Sequence, residues 1–144
     1  MQSSNYKLGR FFLGRLKHDS ELVRSILNFA RRKKVKMAVF TIVGAVKQAR
    51  LAYYDQTGHE YQKIELDRPL EIASCFGNLS LKGGKPFVHV HAVLADAAGK
   101  TYAGHLLRAT VFAAELHLQE LLGKKLEREY DQTTGLALLE FGEL

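Results

Sequence analysis

Three strand-like runs separated by two tight turns lie back to back in the middle of this chain, and they leave few architectures open. The first, Leu70-Glu-Ile-Ala-Ser-Cys-Phe-Gly-Asn-Leu-Ser-Leu81, is long and apolar and is interrupted by Gly77. Lys82-Gly-Gly-Lys85 follows, and its paired glycines supply the positive φ that a hairpin turn requires. The second run, Phe87 to Leu94, is rich in Val and Phe. Asp96 to Lys100 then reads as another turn, and Thr101 to Leu107 returns antiparallel. A meandering antiparallel sheet is the expectation.

That meander carries three histidines. Strand side chains alternate between faces, so His89 and His91 project on the same side. If the pairing keeps His105 on that face, parity sets it opposite His91 or His89, within cross-strand contact. Neighbouring neutral imidazoles among Phe, Val and Ala satisfy their ring nitrogens poorly without a shared cation. Three histidines with an open fourth position suit zinc above nickel, iron or manganese. The alternative is three unrelated histidines bonded to backbone or water.

At 144 residues the chain fits one domain with a real core, spanning 1–144. A hydrophobic content of 47% with 25% charged residues argues against disorder. No apolar run approaches the roughly 18 residues needed to cross a bilayer, and no signal core precedes the first charges, so no membrane role and a cytoplasmic location are expected. The single cysteine, Cys75, excludes a disulfide framework. The formal charge of +6 permits contact with nucleic acid without requiring it. Much of it gathers in Arg31, Arg32, Lys33, Lys34 and Lys36. That cluster reads either as a solvated helix end complementing the macrodipole or as a nucleic-acid patch.

Tyr6 to Leu16 reads as a first strand. Asp19 or Ser20 is expected to cap a helix with Leu22, Val23, Ile26, Leu27 and Ala30 at helical spacing, ending near Arg32 to Lys34. Met37 to Val46 has the composition of a central strand, bent or bulged at Gly44. Strand continues over Ala49 to Tyr54, turns at Asp55 to Gly58 and returns over His59 to Leu66. His18 and His59 fall at turns and are expected on the surface. In Ala109 to Leu122 propensity favours helix, whereas the alternation of Phe112, Ala114, Leu116 and Leu118 with Glu115, His117 and Gln119 favours strand. As a strand it turns His117 to solvent. The last elements resemble a hairpin, Lys124 to Tyr130 and Leu136 to Leu139.

Taken in order, Gly9-Arg10, Ile42-Val-Gly-Ala45, Tyr53-Tyr-Asp55, Leu70-Glu71, Gly77-Asn-Leu-Ser80, Lys85-Pro-Phe-Val-His-Val-His91, Gly104-His-Leu106 and Tyr130-Asp131 resemble the PPC domain, the plant and prokaryote conserved domain. The resemblance runs from about Gly9 to Leu139. It implies an α+β fold, a mostly antiparallel sheet with flanking helices, assembled as a homotrimer. It also implies strand for Thr110 to Leu118, and zinc or a related divalent metal held by His89, His91 and His105. Ala103-Gly104 departs from the paired glycines common in that family, and is acceptable if residue 103 points away from the metal. In plants the domain accompanies AT-hooks in nuclear DNA-binding proteins. This chain has no Arg-Gly-Arg-Pro, which excludes minor-groove reading by that device.

Three functions follow as expectations. One is a trimeric metal-binding protein with a DNA-associated role. A second is a metal-dependent enzyme acting on a small molecule through the open coordination position; it lacks a clear general base, Glu71 being a candidate and Asp96 reading as a turn former. The third is direct nucleic-acid binding through the 31–36 cluster, for which no recognisable reading motif is present. The P-loop, GxGxxG and GxSxG patterns are also absent.

Overall fold

Alternation of apolar and polar residues becomes eight strands and one helix in the computed structural model, which describes residues 2–141. In chain order these are β1 (Lys7–Leu16), α1 (Leu22–Lys33), β2 (Ala38–Asp55), β3 (Glu60–Leu66), β4 (Leu70–Lys82), β5 (Lys85–Ala95), β6 (Thr101–Leu122), β7 (Glu127–Asp131) and β8 (Leu136–Leu139). The expected antiparallel meander β4–β5–β6 is present. Where flanking helices were expected, α1 is the one helix among the described residues. No helix there is long and apolar enough to cross a membrane.

The sheet runs β3-β2-β6-β5-β4-β7-β8, with β1 on the free side of β6. β2 also pairs with β4, so β2, β6, β5 and β4 close a ring. Closure requires long strands that bend. β2 runs unbroken for 18 residues and β6 for 22, joining stretches that the sequence reads as separate runs and giving the ambiguous 109–122 segment to strand. Bulges bend them: the β2–β4 register shifts between Thr41 and Gly44, and the β2–β6 register shifts three times between Ala45 and Leu51. Gly44 holds a φ of 130°, and a Cβ there would stand 2.2 Å from the Ala113 carbonyl oxygen, so glycine alone permits this bend.

One face of the ring packs on α1. Leu22, Ile26 and Ala30 of the helix join Val88, Val90, Ala92 and Leu94 of β5 in the core. Burying Leu22 and Ile26 completely contributes about 1.5–3 kcal/mol each. The helix cap corrects the sequence expectation. Glu21, not Asp19 or Ser20, accepts from the backbone N–H groups of Val23 (3.0 Å) and Arg24 (2.7 Å). Asp19 instead takes a left-handed turn conformation and pairs with Lys47. At the other end Lys34, with a φ of 57°, closes the helix.

Candidate metal centre

The register of the meander decides which way the histidines face. His91 lies directly opposite His105 across β5 and β6, and His89 is two residues along β5 on the same face. Toward β4, His89 faces Asn78 and His91 faces Phe76. Close backbone contact makes room for this. A Cβ on Gly77 would lie 2.3 Å from the His89 carbonyl oxygen, and one on Gly104 would lie 2.7 Å from that of Ala52. Ring centroids are 5.1 Å apart for His89 and His91, 5.2 Å for His89 and His105, and 5.5 Å for His91 and His105. One nitrogen from each ring lies within 4.8 Å of the other two. The convergence inferred from parity is present.

The rings differ in surroundings. His91 is exposed, whereas His89 and His105 are half-buried. Buried Arg128 of β7 reaches over from the C-terminal hairpin, and its Nη2 donates to Nδ1 of His89 at 3.3 Å, since a guanidinium only donates. Burial first, then the charge of Arg128 and the neighbouring rings, pulls the His89 pKa down to about 4. Burial also lowers that of His105, with His91 and Arg128 adding to it. Both are therefore neutral at pH 7, the form that coordinates metal. Nδ1 of His105 is buried without a hydrogen-bond partner, alone in this among the side-chain atoms of the described residues. An orphaned imidazole nitrogen is costly unless something accepts its lone pair or proton. The donor set fits a divalent transition ion: a tetrahedral site with bonds of about 2.0–2.1 Å sets nitrogens about 3.3 Å apart, so the rings close by an ångström or so around it.

Arg128 and Tyr61, which no motif in the sequence pointed to, hold the rings from outside. Arg128 donates through Nε to Ser80 Oγ (2.9 Å), through Nη1 to the Ala137 carbonyl (2.9 Å) and through Nη2 to Asn78 Oδ1 (3.0 Å). Its guanidinium also lies over the Phe87 ring at 5.5 Å. Tyr61 of β3 packs on His105 with centroids 5.6 Å apart. The hint in the sequence was only the alternation of Leu126, just before β7, with Arg128 on it, both buried, where β7 pairs in parallel with β4.

Other candidates fall elsewhere. Glu71 is exposed and opposite Ala95, four residues along β5 from His91 and so about 13 Å away; the register rules it out as a base for this site. Asp96 accepts from the Ala98 and Lys100 backbone N–H groups and holds its turn, as expected. Cys75 is buried, and burial pushes its thiol up to about 12, leaving it inert. His18 and His59 are exposed at turns. His117 lies on the outer face of the sheet, as expected for a strand, and is half-buried between Leu13 and Thr41. Ala103 lies opposite Val93 and by parity shares the histidine face, contrary to the condition set for it; it is tolerated because it is exposed and stands one pair beyond His91 and His105. Arg31, Arg32, Lys33, Lys34 and Lys36 are all exposed at the end of α1, on the face of the sheet opposite the histidines.

Known structures share this architecture. A metal-containing protein from Archaeoglobus fulgidus is 43% identical, covering 97% of this chain and 99% of its own, at a TM-score of 0.94. A plant- and prokaryote-conserved (PPC) protein from Pyrococcus horikoshii is 38% identical with both chains covered completely, at a TM-score of 0.93. A protein from Bacteroides thetaiotaomicron, provisionally described as DNA-binding, is 21% identical over 94% of this chain and 97% of its own at a TM-score of 0.85, which speaks for the fold alone. Among curated proteins, a bifunctional GlmU protein of Synechococcus is 33% identical over 84% of this chain, which spans only 19% of that protein's length. Residues 3–122 match the Plants and Prokaryotes Conserved (PCC) domain, and the chain belongs to that family.

Proposed function

We propose that this PCC-domain protein binds one divalent metal ion, zinc by preference, through His89, His91 and His105. The observation that carries the reading is the convergence of three imidazoles with a buried ring nitrogen otherwise unpartnered. The metal content of the Archaeoglobus fulgidus relative supports it. Zinc is favoured because three neutral nitrogen donors and an open position suit its tetrahedral preference. Metal analysis of protein purified without a histidine tag tests this, alongside His89→Ala, His91→Ala and His105→Ala. Stoichiometric metal in the parent and its loss from every variant is expected; retention in any variant removes that residue from the site.

The working unit is a homotrimer in this reading, as the family resemblance implies. Its support in the molecule is an apolar face that runs up to the histidines. Leu13, His117, Thr41, Phe76 and His91 form one row across the paired strands, and Phe11, Gln119, Val39, Asn78 and His89 the next. Leu13 is 68% exposed, Phe76 65% and Phe11 61%, a cost that other copies of this chain would relieve. Sedimentation of the parent and of Phe76→Glu tests it: a trimer that dissociates in the variant is expected, and a monomeric parent contradicts it.

A DNA-associated role is the second reading. What favours it is that the exposed 31–36 cations continue into a groove of about 580 Å³ lined also by Arg15 and Lys17. Replacing Arg31, Arg32 and Lys34 by Gln should flatten the salt dependence of DNA affinity; an unchanged slope removes the patch. Catalysis is less well supported, because the register separates Glu71 from the histidines.

A further inference from the structure

We infer that the metal centre takes a small carboxylate as its exogenous ligand, drawn there by the charge of Arg128, which no acid among the described residues compensates. The inference rests on the metal reading above and extends it to the class of ligand.

The argument begins with charge. Arg128 is 8% exposed, and all four groups to which its guanidinium donates are neutral: the Ser80 hydroxyl, the Asn78 amide, the Ala137 carbonyl and the His89 ring. The ion pairs of the described residues are Arg10–Glu120, His18–Asp19, Lys47–Asp19 and Arg50–Glu65, and none involves Arg128. Buried cations are ordinarily matched by a carboxylate, because dipoles alone replace lost hydration incompletely. Nor does the metal cluster include an acid among the described residues, where no Asp or Glu joins the three rings. A divalent ion among neutral imidazoles beside a guanidinium brings three positive charges together with no negative one. Anions are thereby favoured at the open coordination position.

Shape narrows the anion. A half-open hollow of about 120 Å³ lies beside His91, on the side away from Arg128, with Ser74, Phe76, Val93 and Ala103 among its walls. That volume holds a few non-hydrogen atoms, and the walls suit a methyl or short alkyl group better than a third or fourth anionic oxygen. An acetate-sized carboxylate meets both demands. Four of the five N–H groups of Arg128 are already committed, so it acts as a fixed positive charge and positioning residue, not as a fork gripping the ligand.

The test uses cobalt-loaded protein, whose visible spectrum reports the coordination shell, titrated with acetate, acetamide and inorganic phosphate. A saturable spectral change with acetate, none with acetamide and a weaker one with phosphate is expected. Arg128→Met should weaken acetate at least tenfold while cobalt stays bound, and Arg128→Lys should restore affinity to within about threefold of the parent, since both keep a charge there. Should Arg128→Met fail to fold, the parent titration and Arg128→Lys still decide. No response to acetate in cobalt-bound protein, an equal response to acetamide, or tighter binding of phosphate overturns the inference and leaves the metal reading standing. Failure to bind cobalt at all removes both.

Discussion

Two clusters of basic side chains occupy opposite faces of the sheet, and they differ in every respect that matters for function. At the end of α1, Arg31, Arg32, Lys33, Lys34 and Lys36 splay into solvent. Their positions are accounted for by helix geometry, with cations gathered where the carbonyl ends of the last turn lie. The other cluster, His89, His91, His105 and Arg128, converges on one point, is partly desolvated and has a ring nitrogen without a partner. The first cluster is conspicuous in the sequence and the second is spread over forty residues of it, from His89 to Arg128. Convergence and desolvation, more than density of charge, mark a place where something binds.

The sharpest way to break that contrast is to add and remove the metal. A ligand at a hundred times its Kd stabilises the folded state by about 2.7 kcal/mol, and zinc should do so for the parent protein. His105→Ala should lose this gain altogether in a zinc-dependent melting series, whereas Arg31→Gln should keep it. Next in size is Gly77→Ala. Its methyl would meet the His89 carbonyl oxygen at 2.3 Å and Phe40 at 2.6 Å, prising β4 from β5 where the histidines stand. A loss of about 1–3 kcal/mol in denaturant unfolding is expected, with weakened metal binding alongside.

Acid gives a smaller and more selective effect. The His89 pKa falls from 6.5 to about 4 in the folded chain, and that of His105 falls as well. The unfolded chain thus binds more protons between those values, so the metal-free protein loses stability as pH drops from about 6.5 toward 4. After allowance for solvent reaching a half-buried ring, roughly 1 kcal/mol is expected from His89, read from urea midpoints across that range. His89→Gln should flatten the dependence. Smallest of all should be replacement of Lys34 or Lys36 by Gln, within about 0.5 kcal/mol of the parent in the same unfolding assay and without effect on metal content.

Much of this could be read in the sequence, and the failures have physical causes. Parity along β5 fixed the side on which His89 and His91 project, and a short turn ensured that His105 returned nearby. The alternation over 112–119 was the right guide to β6, since pairing with β1 and β2 overrode its helical propensity. Residues 37–54 read as two runs because the bulges in β2 shift its alternation while its pairing with β6 continues. Glu21 was missed as a cap because Asp19 and Ser20 are better capping types, yet Asp19 was already committed to a left-handed turn. Arg128 could not be placed from sequence. It reaches the site through the parallel contact of β7 with β4, which no local pattern encodes.

The most direct measurement is anomalous diffraction at the zinc edge from crystals of the zinc-loaded protein. A single peak at about 2.0–2.1 Å from one nitrogen of each of His89, His91 and His105 is the predicted result. A peak bonded to fewer than three of these rings, or none near them, would contradict the account.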